Sequence, residues 1–120
     1  MIARPEEQMT LTKEVLDCMD ACTGCMQLCL ECAAECERHD HMSECARLCR
    51  ICHDECDRHA KAIHEGRHDH LETCVRACEA CAAECEKGTD HMAICLRCAE
   101  ACRRCAEACR RAAPQGHKEN

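Results

Sequence analysis

Residues 18–36 read CMDACTGCMQLCLECAAEC and place six cysteines in nineteen residues. Successive cysteines lie four, three, four, three and four positions apart, which is the spacing of the seam residues of an amphipathic helix. In most helical proteins a large aliphatic residue such as leucine occupies this seam. The segment therefore predicts a helix whose buried face is lined with thiols.

Three further segments carry the same spacing, so the feature belongs to the whole chain. The 19 cysteines form four sets: Cys18, Cys22, Cys25, Cys29, Cys32 and Cys36; Cys45, Cys49, Cys52 and Cys56; Cys74, Cys78, Cys81 and Cys85; Cys95, Cys98, Cys102, Cys105 and Cys109. Helix-forming residues surround each set, which predicts helices over about 10–38, 41–65, 68–87 and 90–112. Four such helices predict an all-α, up-down-up-down four-helix bundle with a cysteine-lined core, forming one domain over residues 1–120.

Residues that favour helix ends support these boundaries. The predicted N-caps and C-terminal glycines are Thr10 or Thr12, Asp40, Asp69, Thr89 or Asp90, Gly66 and Gly88. Gly24 lies inside the first helix, where glycine costs about 1 kcal/mol relative to alanine. A constant shift of 49 maps four cysteines of the first helix onto the third, which indicates two related helical hairpins.

The composition narrows the possible functions. The chain has no aromatic residue and a net charge of -7 with interspersed signs, which predicts no nucleic-acid partner. It shows no secretory signal and no apolar run that could span a membrane, so we expect a cytoplasmic protein. Thiols stay reduced there, and an odd number of cysteines cannot all pair within one chain. Metal binding is therefore favoured over a disulfide scaffold.

Cysteines three or four positions apart on a helix can share a metal ion. Their Cβ atoms are about 5–6 Å apart, which suits two thiolates holding an ion through bonds of about 2.3 Å. Soft thiolates favour Cu(I), Zn(II) or iron–sulfur clusters. One Cu(I) per thiolate replaces one proton and leaves the core nearly neutral, whereas zinc with four thiolates leaves a costly buried charge. Counting bridging thiolates gives about 15–20 Cu(I) ions per chain.

Other functions stay open at this point. A zinc or mixed-metal thiolate buffer would use the same cysteines, and an iron–sulfur electron carrier would also use CxxC pairs. A redox enzyme is favoured less, because no single thiol is distinguished from its neighbours. The sequence contains no nucleophile–base pair with an orienting group and no phosphate-binding glycine loop, so we do not expect an enzyme.

The thiol ladders on four helices, the missing aromatics and the His-Met pairs at 41–42 and 91–92 resemble the cysteine-rich four-helix-bundle copper storage proteins, in particular their cytosolic branch. The resemblance covers about residues 10–112. It implies copper storage and detoxification through many thiolate-bridged Cu(I) ions per chain. It also implies a homo-oligomer, commonly a tetramer, and some histidine, methionine or acidic ligands at the end where copper enters.

Histidine and methionine distinguish the two ends of the predicted bundle. One end gathers His41, Met42, His91 and Met92, and thioethers suit Cu(I). We therefore expect this end to admit copper, with Met42 and His91 the favoured ligands because they continue the seam, and His41 and Met92 as further candidates. His59 continues the seam of the second helix toward the opposite end and is the remaining candidate ligand.

Overall fold

The computed structural model describes residues 12–87 and 92–113. Several predicted positions lie outside the described residues: the candidate ligand His91 and the caps at Thr10, Gly88, Thr89 and Asp90. Four α-helices are present in the described ranges: α1 (Lys13–Cys36), α2 (Ser43–His64), α3 (Leu71–Glu86) and α4 (Ala93–Arg111). A 3-10 turn, Asp40–Met42, precedes α2. Each helix falls inside its predicted range, which confirms the all-α class.

The helices form a closed, antiparallel ring around the cysteines. Each helix packs against its neighbours in sequence, and α4 packs against α1. The first turns of α1 meet the last turns of α2, where Cys18 contacts His59. The end of α1 meets the start of α4, where Cys36 contacts Cys95. These contacts are consistent with the predicted up-down-up-down order of the four-helix bundle. Among the described residues, no helix combines the length and hydrophobicity needed to cross a bilayer.

Helix starts are set by different means. Thr12 is the N-cap of α1, where its Oγ1 accepts a hydrogen bond from the backbone N–H three residues later. The N-caps predicted at Asp40 and Asp69 are wrong, since α2 begins after Met42 and α3 after His70. A turn of the chain precedes each of these helices. The N-cap of α2 therefore lies two residues after the predicted cap, and that of α3 lies one residue after it.

Gly66 ends α2, as predicted. Its φ of 78° places it in the left-handed region. The Gly66 N–H donates to the Ile63 carbonyl and the Arg67 N–H donates to the Ala62 carbonyl, each at 2.8 Å. This pattern is the Schellman motif, in which glycine reverses the chain and the last carbonyl groups stay satisfied.

The core consists of sulfur along most of its length and of hydrocarbon at one end. Every cysteine is at most 3% exposed. Beyond the last cysteines, at the end carrying the α2–α3 connection, lie the buried side chains of Val15, Ile63, Leu71 and Ala112. We call these four residues the plug and this end the plug end. The opposite end, carrying the α1–α2 and α3–α4 connections, is the turn end.

An exposed arginine clamp joins the two helices of each hairpin. Arg50 of α2 donates two hydrogen bonds to Glu37 at the end of α1, at 2.6 and 2.8 Å. Arg103 of α4 donates two to Glu86 at the end of α3, at 2.9 and 2.7 Å. The two glutamates are related by the shift of 49. Each clamp is exposed, so solvent screening keeps its contribution to stability small.

Gly24 gives a direct test of the packing on α1. A Cβ atom added there would meet no atom within 4 Å. We expect Gly24→Ala to raise the free energy of unfolding of the reduced, copper-free protein by about 0.5–1 kcal/mol, measured by urea denaturation, because alanine is the better helix former. The contrasting variant Gly66→Ala should lower it, because an L side chain is strained at positive φ. A loss of stability in Gly24→Ala would contradict the open packing around this position.

Candidate metal centre

The sulfur atoms line the core along most of its length. All 19 cysteines are buried free thiols. Each Sγ has another Sγ between 3.2 and 3.9 Å away. Two thiolates bound to one ion at about 120° through bonds of about 2.3 Å stand about 4 Å apart. The sulfur atoms of the core therefore have nearly the spacing that a shared ion requires.

Contacts of this length join fourteen of the sulfurs into one network that crosses all four helices. Its members are Cys18, Cys22, Cys25, Cys29, Cys49, Cys52, Cys56, Cys74, Cys78, Cys81, Cys98, Cys102, Cys105 and Cys109. The other five lie at the turn end. A metal ion placed anywhere along the network has neighbouring sulfurs through which a second ion can be bridged.

The possible four-sulfur sites overlap, which decides what the core can hold. Cys25 belongs to one set with Cys29, Cys52 and Cys102, and the sulfurs of this set lie within 4.8 Å of one another. Cys25 also belongs to a second set of this kind, composed of Cys25, Cys56, Cys78 and Cys105. Separate tetrahedral sites cannot each keep four private ligands when they share sulfurs. Bridged ions with two or three sulfurs each fit this arrangement better.

The turn end carries a compact group of thiols. Cys32, Cys36 and Cys95 form a triangle with sides of 3.8, 3.7 and 3.7 Å. The Cys45 sulfur lies within 4.8 Å of all three and the Cys85 sulfur lies 3.6 Å from that of Cys45. This group adjoins the connections in which the sequence places its His-Met pairs.

Two of the predicted non-cysteine ligands at the turn end lie against the core. Met42 and Met92 are half-buried and pack against the cysteine cluster. His41 is exposed, with its ring 6.0 Å from that of His39, so it does not join the sulfur cluster in this structure. The position of Met42 fits the expectation drawn from the seam, whereas Met92 reaches the core as the residue just before α4.

Carboxylates beside Met92 were not among the predicted site residues. Glu31 and Glu35 of α1 line a groove of about 590 Å³ together with Met92 and the first residues of α4. In the sequence these glutamates look like ordinary solvent-facing residues four positions apart. Only the packing of α1 against α4 places them next to a thioether.

His59 lies at the opposite limit of the sulfur network. Its side chain is fully buried, and its Nε2 lies 3.6 Å from Cys18 Sγ. Cys18 Sγ is in turn 3.2 Å from Cys109 Sγ. The sequence prediction that His59 continues the seam is consistent with this position, one step short of the plug.

Burial disfavours the thiolate form of two cysteines at the turn end. Removal from water raises the pKa of Cys36 and of Cys95, because the thiolate loses its hydration in the core. A metal ion must therefore displace thiol protons as it binds, and its apparent affinity rises with pH.

The fold and the core together define a helical-bundle protein built to hold soft metal ions on shared thiolates. The particular family follows from comparison with known proteins. The family model described as "Copper storage protein" matches residues 4–114, and the chain belongs to this family. The chain is 36% identical to the solved structure of the Cu(I)-bound copper storage protein BsCsp3, with a TM-score of 0.75, and the match covers 85% of this chain and 100% of that one. Among curated proteins, none matches this chain.

Proposed function

We propose that the protein stores Cu(I) inside the bundle as a column of thiolate-bridged ions, with all 19 cysteines as ligands. The observation that carries the proposal is the continuity of the sulfurs, since every Sγ has another within 3.9 Å and fourteen form one network. Membership in the copper storage family and the Cu(I)-bound state of BsCsp3 support the choice of metal.

Charge and ligand sharing favour copper over zinc in this core. A Cu(I) ion that replaces one thiol proton leaves the net charge of the core unchanged, whereas Zn(II) on four thiolates leaves an excess of two negative charges. The overlapping four-sulfur sets also oppose separate tetrahedral sites. A zinc or mixed-metal buffer remains the second candidate, favoured by the tetrahedral spacing of the Cys32, Cys36 and Cys95 triangle.

Copper enters at the turn end in this proposal. The plug closes the other end with four buried apolar side chains. At the turn end, Met42 and Met92 are half-buried against the core, and Glu31 and Glu35 give the groove beside Met92 a negative charge that attracts a cation. Met42 and Met92 would receive the ion and pass it to the cysteine triangle, with His41 and His91 as further ligands.

We extend the proposal to the location, the catalytic activity and the assembly of the protein. The protein is proposed to be cytoplasmic, to have no catalytic activity and to form a homotetramer. Association is supported by four large apolar side chains on the outside of the bundle, Leu16, Leu30, Ile51 and Leu96, which are 38–49% exposed. Sedimentation analysis of the full chain measures the mass of the assembly, and a monomer at micromolar concentration would rule the tetramer out.

Anaerobic titration of the reduced protein tests the storage function. Against a competing Cu(I) chelator we expect saturation at about 15–20 ions per chain, together with a strong rise in melting temperature, because the ions bind only the folded bundle. Zinc should saturate near one ion per four cysteines. A variant with Cys29, Cys81, Cys98 and Cys102 changed to alanine should lose about four Cu(I) ions by the same counting. Saturation at one or two Cu(I) ions in the unchanged protein would exclude storage.

The rate of loading tests the turn end as the entrance. The double variant Met42→Leu, Met92→Leu keeps the size and apolar character of both side chains and removes both thioethers. We expect severalfold slower uptake from a Cu(I)–chelator complex in stopped-flow absorption, with unchanged capacity. The matched control Met19→Leu, Met26→Leu changes two half-buried methionines along α1. Equal rates for all three proteins would argue against the thioethers as receiving ligands.

A further inference from the structure

We propose that Cys18, Cys109 and His59 form a mixed sulfur–nitrogen Cu(I) site at the plug end, which holds the last ion of the copper column. This inference rests on the proposed storage function. The site adds an imidazole ligand at the boundary between the sulfur network and the plug.

His59 and Cys18 have the spacing of two ligands of one ion, and Cys109 lies next to them. His59 Nε2 and Cys18 Sγ are 3.6 Å apart. Bonds of about 2.0 Å to nitrogen and about 2.3 Å to sulfur, separated by about 120°, place those atoms about 3.7 Å apart. Cys109 Sγ lies 3.2 Å from Cys18 Sγ and 3.9 Å from Cys22 Sγ, so it links this site to the rest of the network.

The packing of the core does not require an imidazole at position 59. His59 is the one fully buried polar side chain among the described residues. Its Nδ1 is buried without a hydrogen-bond partner in the described part of the chain, and its Nε2 faces a thiol. The next buried residues toward the plug end are the aliphatic Val15 and Ile63. A leucine at position 59 would extend the plug and leave no buried polar atom unsatisfied.

Charge explains why nitrogen suits this end of the column. The ion next to the plug faces hydrocarbon, where net charge is most costly. One Cu(I), the thiolate of Cys18 and a neutral imidazole sum to zero charge, while the thiolate of Cys109 is shared with the next ion, whose charge balances it. On binding, the thiol of Cys18 loses its proton to solvent, the lone pair of Nε2 binds the ion, and the imidazole proton stays on Nδ1. The oxidation state of copper does not change.

Native mass spectrometry tests this site, because it counts ions on each chain one at a time. At saturation we expect His59→Leu to hold one Cu(I) fewer than the unchanged protein. The control His64→Leu changes an exposed histidine of the same helix and should keep the full number. His59→Met, which restores a soft ligand, should recover the lost ion. An unchanged count in His59→Leu would overturn the inference.

Nitrogen NMR of the unchanged protein gives a second readout that a merely structural histidine would not move, and it needs no folded variant. In protein labelled with ¹⁵N-histidine, we expect full Cu(I) loading to shift one buried Nε2 resonance into the metal-bound range. His59→Met should lack that resonance. If no buried imidazole nitrogen shifts while the protein still takes up its full load, this site is excluded and storage stands. If the unchanged protein takes up only one or two ions, the storage function itself fails.

Discussion

The short reach of the cysteine side chain constrains the whole molecule. Sγ is only one bond beyond Cβ, so sulfurs from facing helices meet at 3.6–3.8 Å only if the four helices lie close together and in register. Buried alanines beside the seams, such as Ala33, Ala82 and Ala99, permit this close approach. The antiparallel ring of helices is the arrangement that meets this condition along the full length of the bundle.

A core of thiols also makes the stability of the bundle depend on the metal ions that it holds. A buried cysteine removes less apolar surface from water than a buried leucine does, so the empty bundle gains less from its core. The plug, the Thr12 cap and the Gly66 turn supply part of what is missing through ordinary packing and hydrogen bonds. Metal ions that bridge sulfurs of different helices would supply much more, since each would cross-link elements that otherwise meet only through van der Waals contact.

The two ends of the bundle differ in their chemistry, although the cysteine spacing is nearly uniform. At the turn end the sulfurs are followed by half-buried thioethers and nearby carboxylates. At the plug end they are followed by one buried imidazole and then by hydrocarbon. A column of ions between such ends would have one side suited to exchange and one suited to retention. This difference resides in a few residues outside the repeating pattern.

The sequence by itself determined the helices, their shared buried face and the preference for a soft metal, because residues three or four apart must share one side of a helix. It also predicted that His59 and Met42 continue the seams. It could not determine which sulfurs from different helices would meet, because that depends on the relative height of the helices. The same limit applies to the pairing of Cys18 with Cys109, the shared membership of Cys25 in two sets and the placement of Glu31 and Glu35 beside Met92. Those relations exist only once four separate seams face one axis, since packing alone sets distances between residues far apart in the chain.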